Sequence, residues 1–154
     1  MTLIGLISDT HGLLRREAAS AFTGVDRILH AGDTGRPEVL DALAAIAPVT
    51  AVRGNVDTGG WAESLPLETI VPIDGFNICI LHDRQQMTID PKAANVSAVV
   101  SGHSHKPLIE TIDGVLYINP GSAGPRRFSL PISIGFLQLS PEAPIKAWLR
   151  TLDP

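Results

Sequence analysis

The first half of the chain alternates short apolar runs with helix-forming segments, and this alternation constrains the fold more than any other feature. Leu3–Ser8, Arg27–Ala31 and Val49–Val52 are short runs that end at glycine or polar residues, as buried strands do. Leu13–Phe22 and Pro37–Ile46 lie between them and have the length and composition of helices. The order β-α-β-α-β predicts three parallel strands joined by crossover helices.

The second half of the chain is typical of a meander of strands. Seven further apolar runs predict strands: Glu68–Ile73, Phe76–Leu81, Ala98–Ser101, Leu108–Ile112, Val115–Asn119, Ile132–Leu139 and Ile145–Leu152. Asp74-Gly75 and Asp113-Gly114 each join two of these runs, and Asp-Gly is the strongest short signal for a hairpin. Only one short helix is expected in this half, at Pro91–Asn95. We therefore predict one α/β domain over residues 1–154, with a mixed sheet or two stacked sheets.

Composition excludes several classes of function. The chain has 154 residues, 44% of them hydrophobic and 18% charged, which indicates a globular domain. Its net charge of −4 argues against broad binding of nucleic acid. No stretch approaches the roughly 20 apolar residues that a membrane span needs, and the N-terminus lacks a secretion signal, so we expect a cytoplasmic protein. Cys79 lies in an apolar run and is expected to be a core thiol.

Polar residues of one chemical kind follow five of the predicted strands. These residues are Asp9 and His11, then Asp33, then Asn55 and Asp57, then His82, and finally His103 and His105. The carboxyl ends of strands in α/β sheets are where ligands bind. Imidazole, carboxylate and amide groups without thiolates suit Mn, Fe, Ni, Co or Zn. The set is too large for one four-coordinate ion and suits two ions that share a carboxylate.

The spacing within this set has a physical reason. Residues two apart on an extended backbone face the same way, so the pairs Asp9/His11 and His103/His105 can each reach one small volume. Glycines at positions 12, 32, 54 and 102 allow unusual backbone angles and close approach of a ligand. Taken alone, His103 and His105 are equally consistent with a polar loop at a strand end.

Six motifs, taken in order, resemble the calcineurin-like metallophosphoesterases, in particular their small single-domain phosphodiesterases. The motifs are Asp9-Thr10-His11, Gly32-Asp33, Gly54-Asn55-Val56-Asp57, His82, Gly102-His103-Ser104-His105 and Asn119-Pro120-Gly121-Ser122. The resemblance covers residues 3–122. It implies a four-layer α/β/β/α sandwich with two mixed β-sheets and a centre of two divalent ions, with Mn²⁺ expected first.

The resemblance also implies a role for each residue of the set. Asp9, His11 and His105 would hold one ion, Asn55, His82 and His103 would hold the other, and Asp33 would bridge them. A hydroxide between the ions would attack the phosphorus of a small phosphoester, most naturally a phosphodiester, in line with the leaving group. Asp33, Asn55 and His103 are therefore the expected catalytic residues, and Asn55 and His103 also the substrate-binding ones. Asp57 and Asn119 are expected as hydrogen-bond partners behind the ligands.

Two positions depart from the family's pattern. Many members of the superfamily have a histidine at position 56 that protonates the leaving group, a role worth about 10²–10⁴-fold in rate, and Val56 cannot perform it. The family usually has glycine after the histidine of the fourth motif, where this chain has Asp83. Its carboxylate would repel an approaching phosphate unless it points away. His30 is expected to be a hydrogen-bonded core histidine rather than a ligand.

Two other functions stay open at this point. The first is a fold that binds protein and does not catalyse, as in a subunit of the eukaryotic retromer coat; the retained ligand set argues against it. The second is a dinuclear hydrolase of a substrate without phosphate, which a net-positive centre makes less attractive. An exposed hairpin edge could also pair subunits into a homo-oligomer.

Overall fold

The computed structural model describes all residues, 1–154, and contains two five-stranded sheets. The strands are β1 (Thr2–Ile7), β2 (Arg27–His30), β3 (Val49–Ala51), β4 (Glu68–Ile73), β5 (Phe76–Leu81), β6 (Ala98–Val100), β7 (Leu108–Ile112), β8 (Val115–Asn119), β9 (Ser133–Leu139) and β10 (Lys146–Thr151). The helices are α1 (Arg16–Ala21), α2 (Pro37–Ala44) and α3 (Gly60–Glu63), with one 3-10 helix at Arg84–Gln86. All ten predicted strands are present.

The first sheet has the order β10-β9-β1-β2-β3. Strands β1, β2 and β3 are parallel, as the β-α-β-α-β order predicts, so their carboxyl ends meet at one edge of the sheet. The antiparallel strands β9 and β10 extend this sheet beside β1. The chain thus returns to its first sheet only after building the second.

The second sheet has the order β4-β5-β6-β8-β7. Strands β5, β6 and β8 are parallel, and each outer strand joins its neighbour through a predicted hairpin. Asp74-Gly75 and Asp113-Gly114 occupy these two turns with positive φ at both residues. Two left-handed residues in succession match the twist of the flanking strands, which explains the preference for Asp-Gly.

The sheets pack face to face, and the largest part of the core lies between them. Leu6 and Leu29 of the first sheet and Ile80 and Val100 of the second are fully buried in this interface. The helices α1 and α2 cover the other face of the first sheet. Cys79 lies on the far side of the second sheet, where burial raises the pKa of its thiol to about 11.

The predicted sandwich of two mixed sheets is confirmed, with a difference in its outer layer. Pro91–Asn95 forms consecutive turns and no helix, and Asn95 takes a left-handed conformation that ends the segment. The 3-10 helix and these turns cover the second sheet in place of a long helix. The helix α1 begins at Arg16, three residues later than predicted, and α3 was not predicted. No helix has the length and apolar character needed to cross a membrane.

Candidate metal centre

The carboxyl ends of strands from both sheets meet at one rim of the sandwich. Two groups of side chains there have ligand atoms within 4.8 Å of one another: Asp9, His11 and His105 form the first, and Asp9, Asp33 and His82 form the second. Asp9 follows β1 and Asp33 follows β2, whereas His82 and His105 follow strands of the second sheet. Residues remote in sequence therefore converge because the two sheets face each other.

Asp9 is the residue that both groups share. Its Oδ2 oxygen accepts hydrogen bonds from the Ser8 hydroxyl at 2.7 Å and the His103 backbone N–H at 3.2 Å. Its Oδ1 oxygen lies 3.3 Å from His105 Nε2 and 3.8 Å from His82 Nε2. Burial alone would raise the pKa of Asp9, but the neighbouring imidazoles and the Ser8 hydrogen bond lower it below its usual value. One oxygen is held by the protein and the other faces the histidines.

Asp33 repeats this arrangement. Its Oδ1 oxygen accepts the Val56 backbone N–H at 3.0 Å, while Oδ2 lies 3.1 Å from His82 Nε2 and 3.8 Å from His11 Nε2. Burial opposes ionisation, but the hydrogen bonds and the imidazoles dominate and lower the pKa of Asp33 to about 2. The carboxylate is therefore ionised near neutral pH. It faces histidines from both groups, as a shared ligand would.

The His82 ring is oriented by the backbone. Its Nδ1 donates to the Ala31 carbonyl at 2.8 Å, so Nε2 is the atom that faces the carboxylates. Burial lowers the pKa of His82, but Asp33 and Asp9 outweigh this and raise it. A hydrogen bond from one ring nitrogen to a carbonyl is the usual way of directing the other toward a metal ion.

Three buried atoms that face one another at this rim have no hydrogen-bond partner, namely Asp9 Oδ1, His11 Nε2 and His82 Nε2, and His105 Nδ1 lacks one as well. Buried polar atoms without partners are rare and costly in proteins. All three belong to predicted ligands, and nitrogen and oxygen donors of this kind suit divalent transition metals. The residues present therefore fit the two-ion centre that the family implies.

The backbone at these ligands is strained. Five predicted ligands have left-handed φ angles of 46–71° without being glycine: Asp9, His11, Asp33, His103 and His105. Such conformations are uncommon outside glycine and concentrate at functional sites. Two glycines are required by close approach, because a Cβ at Gly54 would overlap Asp33 and one at Gly102 would lie 2.6 Å from Asp9 Oδ2.

Asn55 and His103 lie on the open side of the centre, and both are exposed. Asn55 shares a cavity of about 440 Å³ with His82. His103 lines a second cavity of about 540 Å³, and the rings of His82 and His103 are 5.2 Å apart between centroids. Neither residue belongs to the two tight groups of ligand atoms, and their assignment as ligands stays a prediction. Asp83 lines both cavities.

The expected supporting residues act on the backbone and not on the imidazoles. The Asp57 carboxylate accepts the amide N–H groups of Gly54, Thr34 and Gly35 at 2.9–3.3 Å, which ties the loop after β3 to the loop that carries Asp33. Asn119 donates to the Gly102 carbonyl at 2.9 Å and so holds the loop of His103 and His105. Both residues hold loops that carry predicted ligands, and neither forms a hydrogen bond with a histidine ring.

Sequence reasoning missed other supports. The Ser8 hydroxyl orients Asp9, and the Ser122 hydroxyl donates to the Asp9 carbonyl at 3.1 Å. The adjacency of Ser8 to Asp9 was a signal that could have identified the first of these. The Ala31 carbonyl, which orients His82, has no side-chain signature, so no sequence pattern could have revealed it.

His30 is a core histidine, as expected. Its Nδ1 accepts the Gly32 N–H at 3.1 Å, so Nε2 carries the hydrogen and donates to Thr10 Oγ1 at 3.0 Å. Thr10 in turn donates to the Thr34 carbonyl. Complete burial lowers the pKa of His30 to about 4. The neutral ring thus links the loops that follow β1 and β2 without facing the centre.

Comparison with known proteins agrees with this geometry. The family model of the calcineurin-like phosphoesterase superfamily domain matches residues 2–142. The chain is 34% identical to a probable metallophosphoesterase of Methanocaldococcus jannaschii, over 98% of this chain and 82% of that protein. Its structure is similar to that of an archaeal phosphodiesterase, with a TM-score of 0.80 and 25% identity over 97% of this chain and 100% of the other. Vps29 of Chaetomium thermophilum shares the fold, with a TM-score of 0.79 and 18% identity over 98% and 99% of the two chains. The chain therefore belongs to the calcineurin-like phosphoesterase superfamily.

Proposed function

We propose that the protein is a phosphodiesterase that works with two divalent metal ions, Mn²⁺ first among them. The observation that carries this proposal is the set of unpartnered buried atoms, Asp9 Oδ1, His11 Nε2 and His82 Nε2, that surround Asp33 Oδ2. Three buried donor atoms that face a carboxylate oxygen without hydrogen bonds are costly unless a cation completes them. Asp9, His11 and His105 would hold one ion, and Asn55, His82 and His103 the other, with Asp33 between them.

The protein's own residues would position the reactants. When bound, the ions supply a nucleophile from water near neutral pH and stabilise the charge that develops on the phosphoryl group. Asp33 is held by the Val56 amide and stays ionised, so its free oxygen keeps a fixed place between His11 and His82. Asn55 and His103 lie at the open side, where a phosphoryl oxygen would arrive, and would bind and orient it.

Two features favour diesters over monoesters. Cavities lie on both sides of Asp83, beside Asn55 and beside His103, and would receive the two substituents of a diester. Val56 is 47% exposed and cannot protonate a leaving group, which favours substrates whose leaving groups depart as anions. The similarity to an archaeal phosphodiesterase supports the same substrate class.

The experiment is a metal titration joined to an activity assay. We expect metal-free protein to take up two Mn²⁺ ions and then to hydrolyse bis(p-nitrophenyl) phosphate faster than p-nitrophenyl phosphate. Asp33→Asn should remove the hydrolysis. A protein that binds no divalent ion, or that binds two and hydrolyses neither ester, would refute the proposal.

A protein-binding scaffold is the second candidate, and one observation favours it. The edge strand β7 exposes three apolar side chains, Leu108, Ile109 and Ile112, each at least 37% accessible. Exposed apolar surface on an unpaired strand edge is suited to binding another chain. A protein that stays metal-free and inert under the conditions above would favour this function over hydrolysis.

A further inference from the structure

Asp83 follows the metal-centre residue His82 and faces the open side of the centre. Its side chain is only 19% exposed, and the Oδ2 oxygen lies 3.8 Å from His103 Nε2. The Oδ1 oxygen accepts the Gln85 backbone N–H at 3.0 Å and so caps the 3-10 helix at Arg84–Gln86. One carboxylate oxygen is thus held by the backbone and the other is aimed at an imidazole, as in Asp9 and Asp33.

No lysine or arginine neutralises the Asp83 carboxylate. The adjacent Arg84 pairs with Glu110 at 2.7 Å and stacks over the Tyr117 ring at 4.4 Å, so its charge is used elsewhere. Asp83 forms no ion pair with any lysine or arginine, and the His103 imidazole is the one basic side chain within 4 Å of it. A half-buried carboxylate beside a metal centre therefore lacks a partner that the protein itself could supply.

We propose that Asp83 is an additional carboxylate ligand of the ion held by Asn55, His82 and His103. The inference rests on the two-ion centre proposed above. The distance of 3.8 Å between Asp83 Oδ2 and His103 Nε2 is one that a single cation, with bonds of about 2.0–2.2 Å to each atom, can span. The loop that carries His103 is held by Asn119 and Asp9, so its backbone is fixed beside Asp83.

The extra carboxylate has a consequence for substrate choice. Three carboxylates instead of two leave the pair of divalent ions with one net positive charge instead of two. A phosphodiester carries one negative charge and a monoester close to two near neutral pH. The loss of attraction is therefore larger for the monoester, and Asp83 acts as a specificity-determining residue for diesters.

Isothermal titration of Mn²⁺ into metal-free protein tests the ligand role without relying on activity. Asp83→Asn retains an oxygen that can cap the 3-10 helix but removes the charge, and Asp83→Ser is a second variant with the same property. We expect two ions to bind to the wild type, and the weaker of the two to bind either variant at least about tenfold more weakly. Affinity for the tighter ion should be unchanged.

Asp90→Asn is the matched control. Asp90 is an exposed carboxylate in the same segment and accepts the Lys92 N–H in the same kind of turn, but it lines neither cavity. The Asp90→Asn variant should bind both ions with the affinities of the wild type. Asp83→Asn should also raise the ratio of monoester to diester kcat/KM several-fold, whereas Asp90→Asn should not.

The two proposals fail in different ways. A wild-type protein that binds fewer than two ions overturns the two-ion function and this inference together. A wild-type protein that binds two ions, with both Asp83 variants binding them at unchanged affinity, overturns the role of Asp83 alone.

Discussion

Asp33 Oδ2 lies 3.1 Å from His82 Nε2, and the two residues follow inner strands of different sheets. The same oxygen lies 3.8 Å from His11 Nε2, so this carboxylate has imidazoles of both ligand groups around it. The candidate centre is therefore built across the interface between the sheets.

Replacing Asp33 by asparagine should abolish metal-dependent hydrolysis. The amide oxygen can still accept the Val56 N–H, so the loop is kept, but the anionic oxygen between His11 and His82 is lost. Loss of a partner behind a ligand already costs about 10–100-fold, so loss of a shared ligand should cost more than about 100-fold in kcat/KM. Asp41→Asn, on the exposed face of α2, is the control, and activity retained in Asp33→Asn would contradict the assignment.

Gly102→Ala should destabilise the fold and weaken metal binding. Its Cβ would overlap the Ser8 hydroxyl and lie 2.6 Å from Asp9 Oδ2, so the loop or the carboxylate must move. Overpacking of this kind typically costs about 1–3 kcal/mol, measurable by urea denaturation. Gly60→Ala is the matched control, because a Cβ there would have no neighbour within 4 Å. Equal stability of the two variants would argue against the close packing described here.

Asp57→Ala should destabilise the protein although Asp57 touches no ligand side chain. The buried carboxylate accepts three backbone amides, and its removal leaves those donors unpaired. We expect a loss of about 3 kcal/mol in the free energy of unfolding, together with weaker metal binding, because the loops of Asp33 and Asn55 separate. Asp26→Ala, which removes an exposed acceptor of the single Leu3 amide, should cost much less. Equal losses in the free energy of unfolding for the two variants would contradict a stabilising role of the three hydrogen bonds to Asp57.

His30 should make stability of the metal-free protein depend on pH in a defined window. Its pKa is about 4 in the folded chain and 6.5 when unperturbed, so the unfolded state binds more protons between these values. The contribution of the neutral ring to the free energy of unfolding is fully present above pH 6.5. It is lost as the pH falls toward 4, and the total loss is about 3 kcal/mol. Ring titration by NMR, with urea denaturation at several pH values, measures both quantities. A ring that titrates near 6.5 in the folded protein would refute the burial argument.

Val56→His should raise turnover of phosphomonoesters with poor leaving groups, because position 56 is exposed beside Asn55 and a histidine there can donate a proton. General acid catalysis sets an upper bound of about 10²–10⁴-fold on the gain. Val56→Ala controls for the loss of the valine side chain. A monoester rate no higher than that of the parent would show that the leaving group receives its proton in another way.

The strands and hairpins were predictable because their signals are local. β-branched runs and two Asp-Gly turns determine them without reference to the rest of the chain. The start of α1 was not predictable in this way, because Asp9, His11 and Gly12 take left-handed conformations that delay the helix to Arg16. The helix α3 has four residues, of which Gly60 is the first, and it follows Gly59, so it is too short for a periodic signal.

The candidate centre was predictable to a different extent. That Asp9 and Asp33 share an edge follows from parallel strands of one sheet, but their meeting with His82 and His105 depends on how two sheets face each other. The order of motifs supplied that information through resemblance to a family. Asp57 accepts hydrogen bonds from backbone amides, and the Ala31 carbonyl accepts one from His82. Because each contact involves a backbone atom, no pattern of side chains predicts it.

The division of the predicted ligands between two sheets links the candidate centre at the rim to the volume of the core. Apolar side chains such as Leu6 and Val100 fill the space between the sheets, so their bulk sets the gap across which Asp9 and Asp33 face His82 and His105. A larger side chain between the sheets would move the predicted ligands apart without contacting any of them. Changes of side-chain size in the hydrophobic interior would therefore change the spacing of the predicted ligands. We expect the interior to tolerate less variation in side-chain size than the stability of the fold alone would allow.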